Sequence, residues 1–281
     1  MAEVSRELPG AWNFRDVSDS IGALLRPGRL FRSSELSRLD DDGQTTLHRL
    51  GVTDVADLRA AREVSRGGPG RVPNGIEIHL LPFPDLATPK TGHSAKTDDA
   101  ASNEHTFKQL LANAVAEDSD QSINEAATRY MTDEYRQFPT RNGAQRALHR
   151  VITLLAAGRS VLTHCFAGKD RTGFVVATVL ETIGIDHDSI VADFLRSNDA
   201  APQLRMRVAE MIQQHSEREL AQEVMTFTAA QLSDGVIDVR EEYLAAARQT
   251  IDDAYGSLDS YLRDAGITKA DIDQLHRALL G

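Results

Sequence analysis

The chain has 281 residues, 41% of them hydrophobic, and its apolar runs stop far short of the ~20 residues that a membrane-crossing helix needs. Its 31 Lys and Arg against 42 Asp and Glu leave a net charge of −11, which repels nucleic acid. An anionic ligand must therefore be held by a local cluster of cations and backbone amides. A lone cysteine excludes an internal disulfide framework and cysteine-based metal clusters, and the nine histidines lack metal-ligand spacing, so neither a metal nor another cofactor is expected.

Residues 1–12 lack the basic and apolar blocks of a signal peptide, so no cleavable leader is expected. Residues 13–83 carry short β-like runs: Gly51–Arg59, with Val52, Val55 and Leu58 alternating, and Ile76–Phe83. Turn signals at Gly67-Gly68-Pro69-Gly70 and Pro73-Asn74-Gly75 separate them. Within 86–121, the stretch Thr88–His105 is nearly free of large apolar side chains, which predicts a flexible loop insertion. Ser122-Ile-Asn-Glu125 is a capping-box start, followed by Ile123, Ala126, Ala127, Tyr130 and Met131 at helical spacing. A second helix, Gly143–Gly158, buries Leu148, Val151, Ile152 and Leu155 and runs directly into the apolar strand Ser160–His164. Beyond 186 the periodicity is helical, with stripes at Leu204, Val208, Met211 and Ile212 and at Tyr243, Leu244, Ala247 and Ile251. Strands alternating with helices over short connections predict one α/β domain over 1–281 with a helical appendage.

The chemistry concentrates around the one cysteine, in His164-Cys-Phe-Ala-Gly-Lys-Asp-Arg-Thr-Gly173. The segment reads as a strand, a tight loop over Cys165–Arg171, and a buried helix. A loop entering a helix N-terminus gathers unpaired N–H groups, backed by the helix dipole, into an anion site. Gly168 permits a conformation or close approach that a Cβ would hinder. Arg171 adds a planar fork for two phosphate oxygens. Cysteines in such settings have a pKa lowered to ~3.5–7.5, so a thiolate nucleophile is expected beneath a bound phosphate. A buried structural cysteine would explain the thiol but not the accompanying Arg171-Thr172 pair. A Walker loop through Gly168-Lys169 is excluded, because Asp170 stands where a magnesium-binding Ser or Thr is needed.

This signature resembles that of the cysteine-dependent protein tyrosine phosphatases. Glu7–Val17, Arg29–Leu39, Asp54–Arg59 and Tyr243–Leu258 extend the likeness to their leaderless, secreted mycobacterial branch. The resemblance implies a central, mostly parallel sheet flanked by helices, with a helical lid in 201–250. It implies phosphate monoester hydrolysis through a cysteinyl-phosphate, without metal, on Cys165, with Arg171 and the loop amides of Phe166, Ala167, Gly168, Lys169 and Asp170 holding the phosphate. Thr172 is expected to hydrogen-bond the departing sulfur and His164 to orient the loop. Two carboxylates compete as general acid. Asp85, after Phe83-Pro84, mirrors the family's aromatic-Pro-Asp loop although it lies 80 residues before Cys165. Asp170 matches an acid used in myotubularin-like lipid phosphatases. Asp85 is the expected acid, with Asp170 in an accessory role.

Lys169 makes the loop resemble the basic loops of phosphoinositide phosphatases, so phosphoinositides join phosphorylated host proteins as implied substrates, with action inside a host cell. Arg59 and Arg141 are candidate further cations, and Tyr130 with Met131 a candidate apolar wall; surface ion pairs or core packing explain them equally well. The rival functions are a catalytically dead phosphate-recognition module and a sulfurtransferase.

Overall fold

The computed structural model describes residues 7–83, 120–216 and 233–281. Asp85, most of the expected insertion 86–121, and Met225 and Phe227 of the expected lid lie outside the described residues. Five strands form one sheet: β1 (Arg15–Asp16), β2 (Leu30–Ser33), β3 (Asp54–Asp57), β4 (Glu77–Leu80) and β5 (Val161–His164). Their spatial order is β1-β2-β5-β3-β4, with β1 antiparallel to β2 and every other pair parallel. Among the described residues the α-helices are α1 (Ser18–Ile21), α2 (Asp41–Arg49), α3 (Ala61–Gly67), α4 (Asp120–Gln137), α5 (Asn142–Ala156), α6 (Asp170–Thr182), α7 (His187–Leu195), α8 (Ala201–Ser216), α9 (Asp234–Ile237), α10 (Glu241–Tyr255), α11 (Leu258–Asp264) and α12 (Lys269–Leu279).

Strand alternation sends neighbouring residues to opposite faces, and both faces are covered, as a parallel sheet requires. Leu30, Ala56 and Val161 face a large core built with α5, α6, α10 and α12. Phe31, Val55 and Leu162 face a smaller core closed by Leu8, Leu36, Leu39 and Leu47. The β5 strand is buried along its whole length, as its continuous apolar run predicts. It pairs with β2 at Ser33↔His164 and with β3 at Asp57↔His164, so three parallel strands end side by side. In open α/β sheets ligands bind beyond these carboxyl ends.

The predicted strands are present but shorter than expected, and β1 and β2 add two that no local pattern announces. In β2 the alternation is broken by Arg32, which is fully buried. Its charge is satisfied by Asp193 on α7 at 2.6 Å, a partner 161 residues away.

Candidate active site

Cys165 leaves the end of β5 and is a free thiol, 2% exposed. The loop it opens closes onto the N-terminus of α6. Gly168 takes φ +68°, and a Cβ there would lie 2.2 Å from the carbonyl oxygen of Ser33. Glycine is needed on both counts.

Four successive loop carbonyls are held by neighbours. His164 Nδ1–H donates to Cys165 O at 3.1 Å, and the Glu35 amide to Phe166 O at 3.0 Å. Asn13 Nδ2 donates to Ala167 O at 3.0 Å, and Arg32 Nη2 to Gly168 O at 2.8 Å. Among the described residues, no amide from Phe166 to Arg171 donates to a protein acceptor. Buried N–H groups seldom go unpaired, so a run of them at a helix N-terminus marks an anion site.

Arg171 is held in a two-point ion pair with Glu63, at 2.6 Å from Nη1 and 2.8 Å from Nη2. Burial favours the neutral guanidine, but Glu63, Cys165 and Asp170 outweigh it, so the pKa of Arg171 is raised. Burial likewise pushes Glu63 up, and Arg171 more than reverses this, leaving its carboxyl below the usual range. Both groups are therefore charged at neutral pH. No motif in the sequence singles out Glu63. Its only local signal is its place in the first turn of α3, where it also accepts the Ala60 amide at 2.7 Å.

Lys169 Nζ donates to Asp170 Oδ1 at 3.0 Å and to the Val236 carbonyl at 2.7 Å. Asp170 Oδ1 also accepts the hydroxyl of buried Tyr135 at 2.9 Å. Burial, reinforced by the charge of Asp170, raises the Tyr135 pKa well above the phenol's usual value, so it stays a donor. His164 is fully buried, and desolvation lowers its pKa against the opposing pull of Asp57, 3.8 Å from Nε2. A neutral imidazole with Nδ1–H donating to the Cys165 carbonyl fits the expected orienting role. Thr172 Oγ1 is buried without a hydrogen-bond partner among the described residues.

A cavity of about 240 Å³ stands over the loop. Its floor is Cys165, Phe166, Ala167, Lys169, Asp170 and Arg171; its wall is Met131, Leu204, Val208, Met211, Val236 and Ile237. Met131 thus joins the pocket, whereas Tyr130 packs against the large core. Arg59 is not brought to the pocket. Its guanidinium is buried, paired with Asp57 at 2.7 Å and Glu35 at 2.9 Å. Arg141 is also held elsewhere, by Glu134 at 3.0 Å and over the ring of Phe138.

Asp54, Glu77 and His79 come together at the opposite end of β3 and β4. Asp54 is already engaged by His79 at 2.8 Å and Arg159 at 2.7 Å, and Arg150 reaches to 3.4 Å from His79. These guanidiniums oppose a further cation. Among the described residues no helix is long and apolar enough to cross a membrane.

A cysteine directly after a central strand, a loop of free amides beyond it and an arginine in the first turn of the next helix define a cysteine-dependent phosphatase. Residues 6–281 match the tyrosine phosphatase family, and the chain belongs to it. It is similar to the triple specificity protein phosphatase PtpB of Mycobacterium tuberculosis, at 70% identity over 280 residues, 98% of this chain and 99% of that protein. It is also similar, at 28% identity over 266 residues, to a Cupriavidus necator protein provisionally named a tyrosine-protein phosphatase, covering 94% and 84% of the two chains. The chain is an enzyme, a protein phosphatase that hydrolyses phosphotyrosine.

Proposed function

We propose that the enzyme hydrolyses phosphotyrosine, phosphoserine, phosphothreonine and phosphoinositide monoesters through a cysteinyl-phosphate on Cys165. The observation that carries this is the run of unpaired amides from Phe166 to Arg171 in the loop that Cys165 opens, with the Arg171 charge fixed by Glu63. The sulfur attacks phosphorus, the bond to the leaving oxygen breaks, and that oxygen takes a proton from the general acid. Arg171 and the amides bear the charge of the equatorial oxygens. Water then attacks the phosphocysteine, gives its proton to the same carboxylate, and inorganic phosphate departs as the S–P bond breaks.

Asp85 is assigned as the acid on its Pro-Asp motif. Asp170 is assigned an orienting role, supported by the engagement of its Oδ1 by both Lys169 and Tyr135. The broad range is supported by the relative's triple specificity and by the amphipathic pocket, where Lys169 meets a wall of aliphatic side chains. Apart from Met131 on α4, that wall comes from α8 and α9, which favours reading 201–250 as a lid that excludes water during turnover. The test is turnover of an aryl phosphate in chelator, followed by a matched panel of phosphopeptides and phosphoinositides. Cys165→Ser is expected to abolish hydrolysis. A protein that binds phosphate without turnover would sustain the recognition-module reading instead.

A further inference from the structure

We propose that Asp193 is a positioning residue for hydrolysis: through Arg32, and through Arg15 and Asn13, it fixes two adjacent peptide groups of the phosphate loop. The inference rests on the reading of Cys165–Arg171 as that loop.

Asp193 sits on α7, 1% exposed, behind the loop rather than in the pocket. Its Oδ1 accepts from Arg15 Nε at 2.8 Å and Ser20 Oγ at 2.8 Å, and its Oδ2 from Arg32 Nη1 at 2.6 Å. Two arms lead from it to the loop. Arg32 donates its second amino group to Gly168 O at 2.8 Å. Arg15 Nη1 donates to Asn13 Oδ1 at 2.7 Å, which turns the Asn13 amide nitrogen onto Ala167 O at 3.0 Å.

The planarity of the peptide makes this arrangement consequential. A carbonyl and the following N–H belong to one rigid unit and point in opposite directions. Holding Ala167 O therefore sets the Gly168 N–H, and holding Gly168 O sets the Lys169 N–H. Those are two of the unpaired amides that would meet phosphate oxygens. Asn13 has φ +54°, and no other non-glycine among the described residues has a positive φ. Such strain persists where surrounding contacts over-determine it, and here both ends of the Asn13 side chain are committed. A salt bridge serving stability alone has no need to end on neighbouring carbonyls of the catalytic loop.

The deciding variant is Asn13→Gly, which accepts the positive φ and deletes one arm. Arg32→Lys, which keeps a charge for Asp193 but loses the planar fork, probes the other arm. Turnover of an aryl phosphate, competitive inhibition by inorganic phosphate and thermal melting are measured together. Asn13→Gly is expected to stay folded, lose roughly 10- to 100-fold in kcat/KM, mainly in kcat, and bind inorganic phosphate about tenfold more weakly. Retention of both constants within about threefold overturns the inference. So does lost activity with phosphate inhibition unmoved, the pattern of a purely structural role. If Arg32→Lys does not fold, Asn13→Gly decides alone. Cys165→Ser runs alongside: residual turnover there would defeat the phosphate-loop reading itself, whatever Asn13→Gly does.

Discussion

Replacing Gly168 by alanine gives the sharpest test of the loop geometry. The new Cβ would stand 2.2 Å from Ser33 O, 2.4 Å from Ser33 C and 2.8 Å from Ser34 N. Carbon and oxygen normally approach no closer than about 3.3 Å, so the two backbones must separate by about 1 Å. Ser33 cannot retreat, because β2 is locked in register against β5 at His164. The loop has to move instead, and a misplacement of that size costs on the order of 100-fold in turnover. The positive φ adds roughly 1–2 kcal/mol of destabilisation. Gly158→Ala separates the two effects, since Gly158 has φ +76° with nothing within 4 Å of its Cβ position. Both variants should melt lower than the parent, but only Gly168→Ala should lose kcat/KM on an aryl phosphate. A Gly168→Ala enzyme within about threefold of the parent would refute the reasoning.

Asp85→Asn is expected to lose the alkaline limb of the pH–rate profile and ~10²- to 10⁴-fold in rate on esters with poor leaving groups. Preserved turnover of such an ester would move the acid role away from Asp85, with Asp170→Asn as the comparison. Glu63→Gln leaves Arg171 charged without its two-point anchor; kcat/KM should fall ~10- to 100-fold with weaker phosphate inhibition, and unchanged inhibition would remove Glu63 from the site's construction. Acid unfolding reports on Asp193. Burial raises its carboxyl pKa, but Arg32 and Arg15 bring it to about 2, from 3.8. A depressed pKa stabilises above the unfolded value, so about 2 kcal/mol should be present above pH ~4 and lost as pH falls towards 2. Asp193→Asn, if folded, should flatten stability across that window, and an unchanged acid limb would contradict this.

Much of the site was legible because its signals are contiguous. The β5 strand is an apolar run, the loop carries Cys165, Gly168 and Arg171 within seven residues, and α6 is a buried helix. What remained hidden depends on partners far along the chain. β2 reads poorly as a strand because Arg32 interrupts it, and the neutralising Asp193 belongs to another element. Glu63 looks like an ordinary first-turn acid until the fold brings Arg171 to it across 108 residues. Arg59 shows the converse. Its position after β3 suggests a free cation at the strand ends, but Asp57 and Glu35 hold it in buried ion pairs, and it does not line the pocket.

The strand order carries a consequence for biosynthesis. β2 and β3 are made more than a hundred residues before β5, yet β5 lies between them and bonds to both. A ribosome-bound chain stopped short of residue 160 therefore holds two segments whose inner rims have nothing to bond with. Open rims of this kind invite pairing with other chains. The thiol enters on the same segment that fills the gap, so no shorter N-terminal fragment has a reactive centre.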